Sequence, residues 1–244
     1  MGIVRMGPPE ELMLQLKDKY QLKDFIETGT FYGGTSVWAS SCFDNVVTIE
    51  YSKEIYDQTF AKYGKIQNIN FLFGDTRSVL KTIVPKLTRP SIFWLDSHWS
   101  GGQSYGENDE CSLIEEILTI NMSNCAHFLF IDDARLFTSP PPQPHRIEQW
   151  PSIDKVIEEL KSGTHKYYIV IIEDVIIAVP KYAKGFVARY YQEVSTKAWK
   201  EHGKPLEHPI KQGGSLIVQG LGLISLYTKL KNLISNLKVW VMHK

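Results

Sequence analysis

Phe25-Ile26-Glu27-Thr28-Gly29-Thr30-Phe31-Tyr32-Gly33-Gly34-Thr35-Ser36 is the stretch that decides the fold. Asp24–Glu27 reads as a short strand and Gly33–Ser41 as a helix, with a glycine-rich turn between them. Glycines let a backbone turn tightly and approach a ligand, and the start of a helix offers N–H groups without intrahelical partners. The spacing is not Gly-x-Gly-x-x-Gly, because Phe31 stands at the second position, and no Lys-Ser/Thr pair follows. The turn therefore lacks both the pyrophosphate fingerprint of nicotinamide and flavin proteins and the phosphate cradle of a P-loop.

Outward from this turn, strands and helices alternate. A short helix over Glu10–Tyr20 precedes it. Strands are expected at Val46–Glu50, Ile69–Phe73, Ser91–Asp96 and His127–Asp132, and helices at Lys53–Tyr63, Thr76–Val84, Cys111–Asn121 and Ile153–Ser162. Lys166–Ile172 and Val175–Val179 close the pattern as a hairpin around Glu173-Asp174. Short apolar runs separated by amphipathic helices mean a parallel sheet covered on both faces. The expected class is doubly wound α/β, a Rossmann-like, mostly parallel seven-stranded sheet with a terminal antiparallel hairpin and a helical C-terminal extension.

Ligands of such sheets bind outside the carboxyl ends of the strands. Those ends carry Glu27, Glu50, Asp75, Asp96 and Asp132-Asp133. An acid before a Gly-x-x-x-Gly-Gly turn, with another acid at the next strand end, resembles motif I of the class I S-adenosylmethionine (SAM) methyltransferases. The resemblance implies that Glu27, Thr28, Gly29, Thr30, Gly33, Gly34 and Thr35 contact the amino-acid part of SAM. It implies that Glu50 accepts the ribose hydroxyls, and that Asp75 with Thr76 faces the adenine.

Adjacent parallel strands lie about 4.8 Å apart, so Asp96 and the Asp132-Asp133 pair can converge. Converging carboxylates repel one another unless a cation sits between them, and a hard ion such as Mg²⁺ relieves this with oxygen ligands. Such an ion can also hold two neighbouring sugar hydroxyls and acidify the one to be methylated. Asp96 and Asp132-Asp133 in these places resemble the metal-dependent sugar O-methyltransferases of the macrocin and novobiocin type. The run Leu95-Asp96-Ser97-His98-Trp99-Ser100-Gly101-Gly102, then Asp109-Glu110-Cys111-Ser112-Leu113, then Ile131-Asp132-Asp133-Ala134-Arg135 is similar to methyltransferase-like proteins of polysaccharide clusters. The likeness implies Asp96, Asp132 and Asp133 as Mg²⁺ ligands and Asp96 as the base. His98 departs from the macrocin pattern. An imidazole two residues past Asp96 is a second candidate base near neutral pH, and with it the metal becomes dispensable.

The segments Trp99–Asp109 and Thr138–Trp150 flank the same sheet edge, and loops of this length are usually binding elements. Trp99, Tyr105 and Trp150 are expected to offer faces to a sugar ring, and Glu110, Arg135, Glu107, Asp109 and His145 polar contacts. The expected activity is transfer of a methyl group from SAM to a sugar hydroxyl of a glycan or glycoconjugate. Two alternatives stay open: O-methylation of a non-sugar small molecule, and a non-catalytic SAM-fold module that binds glycan or a partner.

The 244 residues suit one large domain with an appendage, and 27 basic against 27 acidic side chains give no overall pull toward nucleic acid. That balance hides an asymmetry, a net −8 over residues 1–180 and +8 over residues 181–244. A methyltransferase domain over residues 1–182 and a basic extension over residues 183–244 are therefore expected. In the extension Leu223, Leu226, Tyr227, Leu230, Leu233, Ile234, Leu237 and Val241 share one helical face. That helix is expected to dock on the domain or a second copy, to lie on a membrane surface, or to belong to a linker. Three cysteines without a paired motif, and no apolar stretch in Met1–Pro9, point to reduced thiols and a cytoplasmic location.

Overall fold

The computed structural model describes residues 7–99, 106 and 109–202. Tyr105 and the amphipathic segment Leu223–Val241 lie outside the described residues. In chain order the elements are α1 (Glu10–Tyr20), β1 (Asp24–Thr28), α2 (Gly34–Ser40), β2 (Asn45–Glu50), α3 (Lys53–Tyr63), β3 (Ile69–Phe73), α4 (Thr76–Ile83) and β4 (Ile92–Leu95). There follow α5 (Leu113–Asn121), β5 (Phe128–Ile131), α6 (Ala134–Thr138), α7 (Ile153–Ser162), β6 (Tyr167–Ile172), β7 (Val175–Pro180) and α8 (Lys184–His202). The strands form one seven-stranded sheet in the order β3-β2-β1-β4-β5-β7-β6. β1 to β5 run parallel, and β7 enters antiparallel between β5 and β6.

The central strands are apolar because both of their faces are covered. Every side chain of β4 and β5 is buried, Trp94, Phe128 and Phe130 among them. Deleting one such aromatic costs about 3–5 kcal/mol. Glu173 and Asp174 hold positive φ angles of 50° and 72° at the β6–β7 turn, which matches the twist of the hairpin. Ser52 and Asp75 cap α3 and α4 by accepting from the N–H groups of Ile55 and Arg77.

The topological switch falls between β1 and β4, where Thr28 pairs in register with Leu95. Leu95 in turn pairs with Ile131 of β5. The residues that follow these strands, Gly29, Asp96 and Asp132, are thereby brought to one edge. Two elements differ from the sequence expectation. A short helix, α6, stands in what reads as a proline-rich loop, and α8 fills the first part of the expected extension, ahead of the helical face assigned there. One compact unit extends through Tyr190 and a second begins at Tyr191. Among the described residues no helix is long and apolar enough to cross a membrane.

Candidate active site

The turn after β1 is shaped by close packing. Gly29 has φ +86°, and a Cβ there would collide with the carbonyl oxygen of Asp96. Gly33, at φ +77°, precedes α2, and a Cβ there would meet the Thr59 methyl at 2.9 Å. Phe31 holds a left-handed conformation, φ +47°, which is rare for a bulky side chain. Two bonds pin it: its N–H donates to Glu50 Oε2 at 2.8 Å, and its carbonyl accepts from Thr59 Oγ1 at 2.8 Å. The rings of Phe31 and Tyr32 stay exposed at the end of β1, with centroids 4.2 Å apart.

Glu27 is buried and accepts from the hydroxyls of Ser36 and Thr48. Burial pushes its carboxyl up to about 7, against the pull of those hydroxyls and of Thr35. Thr48 Oγ1 lies 2.6 Å from Thr30 Oγ1, so Thr30 belongs to this buried network. Glu50 accepts from the Phe31 N–H and, through Oε1, from the Ser52 N–H at 2.8 Å. Burial raises its pKa while these N–H groups lower it. The Tyr51 N–H is a third backbone donor to Glu50, which leaves about one of its four lone-pair sites for a ligand hydroxyl.

Three of the expected cofactor contacts are engaged elsewhere. Asp75 caps α4 and takes the Arg77 guanidinium through both oxygens, with Nη2 to Oδ2 at 2.7 Å. The Arg77 bonds hold its carboxyl below the usual range despite burial. Arg77 also reaches Asp109 at 2.5 Å. The hydroxyls of Thr28 and Thr76 turn inward to Glu116 of α5, at 3.2 and 2.5 Å, and the Ser112 hydroxyl joins them at 2.7 Å. Glu116 is a buried carboxylate that the sequence reading missed. Its signal was its place on the apolar face of α5 with Leu113, Ile117 and Ile120.

Beyond β4 and β5 two of the three aspartates, Asp96 and Asp133, flank an imidazole. His98 Nε2 lies 3.1 Å from Asp133 Oδ2 and 3.5 Å from Asp96 Oδ1. These contacts lie off the hydrogen-bonding line, since neither ring nitrogen has a hydrogen-bond partner. An antiparallel bridge to Cys111, the Trp99 N–H to Glu110 carbonyl bond at 2.8 Å, and the Trp150 ring at 5.4 Å fix the imidazole. Burial lowers the His98 pKa, but Asp133 and Asp96 outweigh it and the net shift is upward. Asp96 is raised well above the carboxylate range, first by burial and then by Asp132, Asp133 and Glu27, with His98 opposing. Burial and the Asp133 charge push Asp132 up to about 6. Asp133, left-handed at φ 56°, is held low by His98 and Arg135 against its burial.

The expected substrate contacts are corrected by their surroundings. Glu110 is fully buried: Oε1 accepts from the Arg146 N–H at 2.9 Å, and Oε2 from Trp150 Nε1 at 2.6 Å and His145 Nδ1 at 3.0 Å. It staples the loop before α5 to the loop before α7, and its oxygens face protein rather than a cleft. Trp99 and Trp150 are each 6% exposed, too little to offer a face to a sugar. Trp99 packs on His145 and Trp150 on His98 and Phe137. Arg135 is half exposed, but it is tied to Asp133 at 2.7 Å and to Asp174.

No protein-family model and no curated protein matches the sequence. Solved structures do resemble the fold. The Bacillus cereus O-methyltransferase in complex with S-adenosylhomocysteine (SAH) superposes with a TM-score of 0.50 at 16% identity, over 72% of this chain and 83% of that one. The SAH-bound Podospora anserina methyltransferase PaMTH1 gives 0.50 at 19% identity, over 72% and 80%. The fold is that of the class I SAM-dependent methyltransferases.

Within this fold the donor set at the ends of β1 and β2 suits SAM, given a glycine turn that can approach closely and a Glu50 carboxylate at the end of β2. The carboxylates at the ends of β4 and β5 do not fit the expected Mg²⁺. Asp133 Oδ2 faces His98, its Oδ1 accepts from Arg135, and Asp132 Oδ1 accepts from the Asp133 N–H at 2.8 Å. Among the described residues no three His, Cys, Asp or Glu side chains converge as a metal's ligands would.

Proposed function

We propose that the chain is a SAM-dependent O-methyltransferase whose acceptor is a sugar hydroxyl of a glycan or glycoconjugate. Asp96 carries the reading. It follows β4 at the switch point, a third of its side chain is open to solvent, and its pKa is raised. A carboxylate so placed is a stronger base than an ordinary one and can be reached by a hydroxyl.

When bound, SAM supplies a methyl group already activated on a sulfonium sulfur, and the carbon–sulfur electron pair stays on sulfur as SAH forms. Glu50 would hold the ribose, and Glu27 with the Gly29–Gly34 turn would shape the amino-acid end. The remaining task is to align an oxygen and remove its proton. Asp96 accepts the hydroxyl proton at a carboxylate oxygen and passes it to solvent at its exposed edge. His98 lowers the Asp96 pKa against the burial and the neighbouring carboxylates that raise it. With Trp99 and Trp150 buried, Phe31 and Tyr32, along with Tyr51 and Phe73, are exposed aromatics at the carboxyl ends of the strands, and Phe31 and Tyr32 after β1 would offer faces for the apolar side of a sugar ring.

Methyl-labelled SAM incubated with nucleotide sugars, deoxy sugars and phenols tests this. Label on a sugar, lost in Asp96→Asn, is the expected result. Label on a phenol alone overturns the acceptor class, and SAM binding without turnover favours the non-catalytic module.

A further inference from the structure

We infer that the His98 imidazole takes the place of a divalent cation among the carboxylates that follow β4 and β5, so that methyl transfer needs neither a bound metal ion nor an acceptor with neighbouring hydroxyls. The inference rests on the O-methyltransferase reading for its consequence, while its structural part stands alone.

Three carboxylates at the ends of two paired strands repel one another, and a metal ion between them would need their oxygens free. The chain fills that space from two directions. His98 sits between Asp96 and Asp133, and Arg135 caps the other Asp133 oxygen while also meeting Asp174. The imidazole is not a loose side chain that could swing aside. It is 10% exposed, its backbone is bridged to Cys111, and its ring lies against Trp150, which Glu110 holds in turn. Mg²⁺ demands an octahedron of oxygens at about 2.0–2.1 Å. Here one Asp133 oxygen accepts from Arg135 and the other lies against the His98 ring, and a neutral imidazole would be a poor ligand for so hard an ion.

A side chain in the place of a metal ion changes what the acceptor must be. A metal gains its grip by taking two neighbouring oxygens of the substrate at once. An imidazole holds only its carboxylates, and the acceptor then meets Asp96 through a single hydroxyl. A sugar whose neighbouring position is deoxy, methylated or already linked remains a substrate.

Mn²⁺ titrated into the full chain and followed by electron paramagnetic resonance tests the inference without relying on turnover. The wild type should leave the free-ion signal unchanged up to about millimolar Mn²⁺, while His98→Ala and His98→Gln, which remove the ring from between the carboxylates, should bind at least about ten-fold more tightly. Circular dichroism checks that each variant folds. Wild-type binding below about 100 µM that Asp133→Asn abolishes would overturn the inference, as would folded His98 variants that bind no better than wild type. The wild-type titration decides the matter even if both variants fail to fold. SAM binding measured on the same sample separates the failures: Mn²⁺ in the cluster with SAM bound sinks only this inference, whereas absence of SAM binding sinks the O-methyltransferase reading.

Discussion

Replacing Glu110 should be felt throughout the site although its carboxylate touches no cleft. In Glu110→Ala three donors lose their acceptor at once. The Arg146 N–H is near the surface and can turn to water. Trp150 Nε1 cannot, because the indole is 6% exposed, and a stranded buried donor costs about 1–3 kcal/mol. With the partly buried His145 contact added, the expected loss is about 2–4 kcal/mol. Glu110→Gln puts an amide N–H₂ against a donor whichever way it turns, and should cost about 1–3 kcal/mol. Trp150→Phe keeps the ring on His98 and Phe137 but removes the indole N–H, and should cost about 1 kcal/mol. Urea unfolding reads these as midpoint shifts at constant slope. Burial raises the Glu110 pKa, but Trp150, Arg146 and His145 outweigh it and the folded value is lowered. Its contribution is therefore present at neutral pH and lost as pH falls below the ordinary glutamate value of about 4.3, so the alanine variant should show a flatter acid limb. A Glu110→Ala shift under about 0.5 kcal/mol, the size of a surface substitution, would refute the staple.

Asp96→Asn should lower the methyl-transfer rate by about 10²–10⁴-fold and leave SAH affinity within about two-fold, as assayed by label transfer and calorimetry. The rate should rise with pH as Asp96 ionises, with its limb above the ordinary aspartate value of about 3.9. His98 lowers the Asp96 pKa and Asp133 raises it, so His98→Gln should move the limb to higher pH and Asp133→Asn to lower pH. Gly29→Ala should destabilise by about 2–4 kcal/mol in a denaturant titration, from its left-handed backbone and its contact with Asp96.

The layout of the sheet was legible because β4 and β5 are buried on both faces and so read as unbroken apolar runs. The helix α6 was hidden by its brevity, five residues between a left-handed Asp133 and Ser139-Pro140. α8 was hidden by its exposed, charge-rich later turns. At the site, position at a strand end disclosed the carboxylates, since the carboxyl edge of such a sheet is where ligands bind. Sequence order could not disclose which way short side chains turn. Thr28 and Thr76 look like cofactor contacts until Glu116 claims their hydroxyls, and Asp75 until Arg77 grips it. Aromatics in a long loop read equally well as sugar platforms or as packing. For Trp99 and Trp150 the choice depends on Glu110, His145 and Phe137 coming together across elements distant in sequence.

Calorimetric titration of the wild type and of Glu50→Ala with SAM is the most direct test of the central claim that the ends of β1 and β2 hold this cofactor. The expected result is single-site binding near micromolar for the wild type, weakened about ten- to hundred-fold when the Glu50 carboxylate is removed. No binding by the wild type at about millimolar SAM, equivalent to less than about 4 kcal/mol, would contradict it.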